Sequence, residues 1–234
     1  MDQERGVVLF VGDGKGADAL KAFWCRLAQS RAKIQAVATD MGQAYISAVL
    51  EHLPGVPLMF DHFYVVKLMN DALTNIGRDL HRELQDVMHK EVLTGTRWIL
   101  LKNPENLSLE RNEYARLQET LKLNEPLATA YYMKEELRQF WRQPDKRTAE
   151  IAIDSWVSRA LSSGIRDLIR AGKTVASLRY GILNWYDHPI SSGRMEGANN
   201  KIKVLKRRAY GYRDMEFLKL RILAIHEAKY ALTR

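Results

Sequence analysis

Apolar positions in the first sixty residues change their spacing repeatedly between strand-like and helical. Val7-Val8-Leu9-Phe10-Val11 is a short β-rich run closed by Gly12, and Gly14 and Gly16 continue the break. Ala17, Leu20, Phe23, Trp24, Leu27 and Ala28 then recur at helical spacing, which predicts an amphipathic helix from about Ala17 to Ser30. Ile34 to Thr39 returns to strand character and ends in Asp40. After Gly42, the residues Tyr45, Ile46, Val49, Leu50 and Leu53 mark a second helix, closed by Pro54-Gly55-Val56-Pro57. Leu58-Met59-Phe60 reads as a buried strand ending in Asp61. Strand, helix, strand, helix, strand with tight connections predicts a parallel α/β layer.

From Phe63 to about Tyr186 the pattern is helical almost throughout, with breaks expected near Gly95, Asn103-Pro104, Asn124-Glu125-Pro126, Gln143-Pro144 and Gly172. Trp98, Trp141, Trp156 and Trp185 lie here, and bulky aromatics at irregular spacing among helices are expected in a bundle core. From about His188 a loop, Pro189 to Gly193, leads into a helix on which Met195, Ala198, Ile202 and Leu205 form one stripe. Glu196, Asn200, Lys203 and Arg207 form another. Tyr210-Gly211-Tyr212 breaks that helix, Asp214 is a candidate N-cap, and Met215 to Leu232 reads as a closing helix. The three sections give expected domains of 1–62, 63–187 and 188–234.

Composition narrows the class. The 234 residues are 46% hydrophobic and 27% charged, which suits a packed core and excludes disorder as the main description. No run approaches the ~18 to 20 apolar residues of a membrane helix, and Met1-Asp2-Gln3-Glu4-Arg5 is no secretory signal, so a cytoplasmic protein without a membrane partner is expected. One cysteine, Cys25, excludes an internal disulfide and a thiolate-rich zinc site; its neighbours Trp24 and Leu27 predict that it is buried. The net charge is +8, and it is concentrated. Arg194 to Arg221 holds nine basic and three acidic residues. A solvated helical face is the usual fate of such a run, and a polyanionic partner is the other reading.

Asp40 sits at the carboxyl end of a predicted parallel strand, where open α/β sheets place their ligands, so it is a candidate catalytic or metal-binding carboxylate. Its position suits an N-cap of the following helix equally well. Asp61 poses the same choice one strand later, and there the cap is favoured. Glu196 shares its face with Asn200, Lys203 and Arg207, a cation ligand beside phosphate binders, or is simply a favourable acid in a first helical turn. Gly12-x-Gly14-x-Gly16 lacks the spacing of a dinucleotide or phosphate loop and reads as a turn. The histidines show no HExxH pair and read as ordinary surface or interface residues.

Taken in order, several blocks resemble a known family: Val37-Ala38-Thr39-Asp40-Met41 with Tyr45; Asp61 to Lys67; Arg97-Trp98-Ile99-Leu100-Leu101-Lys102-Asn103-Pro104-Glu105-Asn106-Leu107; and Ser192 to Lys203, continuing through Lys206 to Tyr212. The series is similar to the DDE domain of bacterial insertion-sequence transposases of the ISL3 group. That resemblance implies an α/β fold: an RNase-H-like core, partial here because its first strands are missing, interrupted by a large all-helical insertion. It implies metal-dependent DNA cleavage and strand transfer, with Asp40 and Glu196 as two of three acidic ligands for a pair of divalent cations, magnesium or manganese. Asp61, Lys67 and Asn200 become near-site positions.

The chemistry agrees with that implication. Phosphodiester transfer is an in-line displacement served by two metals about 3.5 to 4 Å apart, and hard cations take carboxylate oxygen. Lys201, Lys203, Lys206, Arg207, Arg208 and Arg213 would neutralise phosphates, with Tyr210 and Tyr212 placed to stack or pack. The implied partners are double-stranded DNA, as terminal inverted repeats and target, and further copies of the chain when active. Two departures stand out. Asp2 and Asp13 flank the first predicted strand and are poor first ligands, so a first strand, first carboxylate and N-terminal DNA-binding region are expected to be missing. The family usually has His where this chain has Tyr64, which cannot supply an imidazole. An inert remnant that binds DNA or pairs with intact copies is the alternative.

Overall fold

In the computed structural model, which describes residues 1–14, 16–60, 62–84, 87–190 and 193–225, the chain divides into two compact units. One comprises Met1–Asp61 with His188–Arg234, the other His62–Asp187. The described structure is mostly helical, with a small parallel sheet.

The first unit is built on a strand–helix–strand turn of chain. β1 (Val37–Thr39) and β2 (Leu58–Phe60) pair in parallel, with Val37 opposite Leu58 and Thr39 opposite Phe60. The connection is α2 (Gln43–His52), as the two apolar spacings require, because parallel neighbours need a crossover. All three β2 residues are buried, and Ile46, Ala48 and Val49 supply the inner face of α2. A single 3₁₀ turn, Ala17–Leu20, leads into α1 (Lys21–Gln29). Trp24 on α1 is buried and stacks on His52 at 4.8 Å between ring centres.

Two expectations fail in this region. Val7–Val11 forms no strand: Val7 makes an isolated bridge with Asp2, whose amide donates to the Val7 carbonyl at 2.9 Å, and residues 8–11 find no ladder among the described residues. β-rich composition makes a strand only where an edge offers hydrogen bonds. Cys25 is exposed, because at helical spacing it falls beside Lys21 on the outer side while Trp24 turns inward. Asp13, Gly14 and Gly16 lie in bends, in keeping with the turn expected there; a Cβ at Gly12 would lie 2.1 Å from the Ala19 carbonyl oxygen, so only glycine allows that approach.

The second unit contains α3 (His62–Glu83), α4 (Val87–Leu93), α5 (Arg97–Leu101), α6 (Glu113–Lys122), α7 (Glu125–Gln139), α8 (Lys146–Ser162) and α9 (Arg166–Leu183). Its core is apolar residues at helical period from α3, α7, α8 and α9, among them Leu73, Leu127, Ile153 and Leu168. Trp156 is buried and donates its indole N–H to the Met133 carbonyl at 2.9 Å. Trp98 departs from the expected bundle core: it is 66% exposed, with the Arg97 guanidinium 5.2 Å from its ring centre.

Helix boundaries follow local chemistry. The Asn124 side chain accepts from the Leu127 amide and Asp145 from the Thr148 amide, each capping a helix whose entry was legible from Pro126 or Pro144. Gly172 is not a break. It lies inside α9, where a Cβ would come 2.9 Å from the Ala160 Cβ, so it is a contact glycine that lets α8 and α9 approach. The turn between those helices falls at Gly164, whose φ of +70° suits a residue without a Cβ.

The block from Arg97 to Leu107 is held by polar side chains on α6 and α7. Lys102 Nζ donates to both Glu113 carboxylate oxygens at 2.8 and 2.7 Å, and the Ser108 amide donates to the same carboxylate. Buried Lys134 donates to the Leu100 carbonyl at 2.8 Å, and Arg138 meets Glu105 through two hydrogen bonds. Burial lowers the Lys134 ammonium pKa, while the Arg138 guanidinium holds the Glu105 carboxyl down to about 2.

Candidate functional site

Asp40 follows β1 directly and is half-buried. Its Oδ1 accepts from the Gly42 amide at 3.1 Å, a short local turn that fixes the carboxylate at the strand end. The cap of α2 is Gly42, not Asp40, so the capping reading of Asp40 is not realised. A Cβ at Gly42 would stand 2.9 Å from Asp40 Oδ1, which makes the glycine part of the seat of that carboxylate.

Glu196 is carried by α10 (Gly193–Arg208), in its first turn, where a carboxylate is favoured by the helix dipole. Glu196, Asn200, Lys203 and Arg207 are exposed along the outer stripe, whereas Ala198 is buried and Met195, Ile202 and Leu205 are partly covered. The two stripes read from the sequence are therefore the outer and inner faces of the helix. After α10, Tyr210 and Gly211 adopt positive φ, +50° and +102°, and break the helix at the expected place. Asp214 accepts from the Phe217 amide at 3.0 Å and caps α11 (Met215–Leu223); the rest of the expected closing helix beyond residue 225 lies outside the described residues.

Asp40 and Glu196, far apart in the chain, belong to the same compact unit, together with Asn200 and the basic residues of α10. Lys67, exposed on α3, belongs to the helical unit, and Asp61 lies outside the described residues. The C-terminal helices are tied to the N-terminal residues of their unit. Arg194 donates to the Gln3 and Glu4 carbonyls, and Lys219 pairs with Asp13 and Glu216. The Asp2 carboxylate accepts from the Glu4 and Arg5 amides. Asp2 is thus engaged in a local turn and Asp13 in an ion pair with Lys219.

The donor set is hard oxygen, which suits a divalent cation in kind. One Asp40 oxygen accepts from the Gly42 amide, and among the described residues no hydrogen bond is made to the other. Among the described residues no group of three or more His, Cys, Asp or Glu side chains is assembled to hold a metal.

Some cations of the helical unit are neutralised within the fold. In the helical unit Arg138 pairs with Glu105, Arg159 with Glu136 and Arg179 with Asp154, each through two hydrogen bonds. On and after α10, Lys201, Lys203, Lys206, Arg207, Arg208, Arg213 and Arg221 have no acidic partner among the described residues. Counting charges along the sequence located this cluster; its lack of internal neutralisation is visible only in the fold. The sequence reading missed the Gly42 contact with Asp40, for which the adjacent Gly was the available signal.

Residues 1–222 match the profile of a family described as transposase, the ISL3 group of DDE proteins. The chain belongs to the ISL3 group of insertion-sequence transposases. It is 36% identical over 220 residues to the transposase for insertion sequence element IS1001 of Bordetella parapertussis, covering 93% of this chain and 54% of that protein. It is 26% identical over 241 aligned positions to the transposase for insertion sequence element IS1557 of Mycobacterium tuberculosis, with the same two coverages, in strains CDC 1551 and H37Rv. The chain thus spans about half the length of the curated relatives it matches. No solved structure matches it at a significant level. Among the described residues no helix is long and apolar enough to cross a membrane.

Proposed function

We propose that this ISL3-group chain is the catalytic-domain portion of a DDE transposase that cleaves DNA and joins its strands with divalent metal, on an RNase-H-like core into which the helical unit is inserted. The family match supports the reaction class, and the single observation that carries the DNA reading is the row of unneutralised cations on and after α10. In this reading the partners are the terminal inverted repeats and target DNA, and active assemblies contain more than one copy. The site of action is cytoplasmic.

Asp40 and Glu196 would hold the cations, magnesium or manganese. Bound metal supplies the chemistry of in-line displacement, activating the attacking oxygen and stabilising the leaving one. The protein's own residues do the rest. Gly42 holds the Asp40 carboxylate at the end of β1. Lys203 and Arg207, one and two turns beyond Asn200 on the stripe of Glu196, neutralise phosphates beside the site, and Lys201, Lys206, Arg208 and Arg213 extend that contact. Tyr210, wholly exposed, and Tyr212 offer ring faces to bases.

The second reading, a non-catalytic DNA-binding or subunit-interaction remnant, is favoured by one observation: no three-ligand metal cluster is assembled among the described residues. A Glu196→Gln substitution separates the two, assayed with terminal-repeat DNA and magnesium or manganese. In the catalytic reading it abolishes cleavage while DNA affinity changes less than about threefold, since one neutralised carboxylate adds no phosphate contact. Wild-type chain that binds the DNA but neither cleaves it nor changes on substitution is the remnant.

A further inference from the structure

α10 and α11 enclose an open groove of about 560 Å³ that begins at Gly197, next to Glu196. Its lining combines two chemistries. Val204, Leu205, Tyr212 and Ile225 give it an apolar wall and one aromatic ring. Lys201, Arg208 and Arg221 bring positive charge, and among the described residues none of them has an acidic partner and no carboxylate lines the groove. Asn200 adds an amide that can both donate and accept hydrogen bonds.

An intact duplex does not fit this combination. It keeps its base faces stacked inside and presents phosphates and base edges, so the cations would be matched and the apolar wall would not. An amphipathic protein helix would match the apolar wall and leave three cations facing it. An unpaired nucleotide matches both at once, with a ring face for the apolar wall and Tyr212 and a phosphate on either side for the cations. The volume lies within the range of about 300 to 1,000 Å³ typical of small-molecule sites.

We propose that this groove receives the base of a single unpaired nucleotide in the DNA, with its flanking phosphates on Lys201, Arg208 and Arg221. The proposal rests on the DNA-binding reading above and goes beyond it by naming where the strand is read as a single strand.

The test uses the full chain and two probes, a short blunt duplex and the same duplex extended by a single-stranded 3′ tail that carries 2-aminopurine. The tail is expected to tighten binding about tenfold and to quench the 2-aminopurine emission as its ring stacks. Val204→Trp and Ala209→Trp, both at exposed positions, fill the groove without removing charge and should reduce the tail's advantage to about twofold or less. The ratio of tailed to blunt affinity is the readout, and circular dichroism confirms that each variant is folded. A tail that adds nothing, or an advantage that both tryptophan variants retain, overturns the proposal and leaves duplex binding standing. Failure of the wild-type chain to bind the blunt duplex at low salt removes the DNA-binding reading and this proposal with it. A change of mass in light scattering on Val204→Trp, with the tail's advantage intact, assigns the groove to contact between copies and also overturns it.

Discussion

Three glycines show how one missing Cβ acts in three ways. At Gly42 a Cβ would press on the Asp40 carboxylate at 2.9 Å, and the side chain rather than the backbone would give way. Gly42→Ala should therefore lower metal-dependent cleavage about tenfold while costing under about 1 kcal/mol in stability, the scale of a changed N-cap; parallel activity and urea-unfolding measurements check it. At Gly172 the clash is with the Ala160 Cβ at 2.9 Å, between two packed helices, so Gly172→Ala should destabilise by about 1–3 kcal/mol. At Gly77, inside α3, the nearest atom is Leu127 Cδ1 at 4.0 Å, and Gly77→Ala should stabilise by about 0.5–1 kcal/mol through helix propensity. Urea midpoints for the last two that move in the same direction would contradict this account. Sequence spacing could not distinguish these roles, because a contact glycine and a turn glycine look alike until the neighbouring helix is placed. For the same reason the sequence suggests a break at Gly172, whereas the turn falls at Gly164. The sequence neighbours of Cys25 suggest burial, but in a helix they point elsewhere and the thiol is exposed.

Among the elements, period and punctuation were the legible signals. β1, α2 and β2 follow from two apolar runs separated by a helical stripe, and the prolines at 104, 126 and 144 mark real entries. What could not be read was pairing. Val7–Val11 has strand composition and no ladder among the described residues, and nothing local in Arg97–Leu107 reveals that α6 and α7 hold it. Lys134→Ala would leave the Leu100 carbonyl without its donor and open a cavity, costing about 2–4 kcal/mol in urea unfolding. Glu105 gives the pH dependence. Its folded pKa, about 2, lies below its ordinary value of 4.5 because Arg138 hydrogen-bonds the carboxylate. Its contribution to stability is fully present above about pH 4.5 and is lost as pH falls toward 2. Unfolding curves of Glu105→Gln over that window should show a flatter decline than wild type; identical slopes would remove the pair from the acid response.

For the whole molecule, the asymmetry of charge is the organising fact. Arg138, Arg159 and Arg179 of the helical unit are answered by carboxylates, while Lys201, Lys203, Lys206, Arg207, Arg208, Arg213 and Arg221 have no acidic partner among the described residues. Duplex binding should therefore weaken steeply with salt, and Lys203→Ala or Arg207→Ala should each lower the slope of log affinity against log salt by about 1. An affinity insensitive to both salt and substitution would point away from a phosphate contact. The distribution of charge was countable in the sequence; whether it was neutralised depended on which carboxylates the fold brings near. The central proposal is narrower: that Asp40 and Glu196, which fold into one unit, would hold the same cations. Manganese titration followed by water-proton relaxation on the wild type, Asp40→Asn, Glu196→Gln and the double variant tests it most directly. Shared ligation predicts that each single substitution weakens binding about tenfold or more and that the second adds little to the first. Losses that simply add, or a wild-type affinity that survives either substitution, would contradict it.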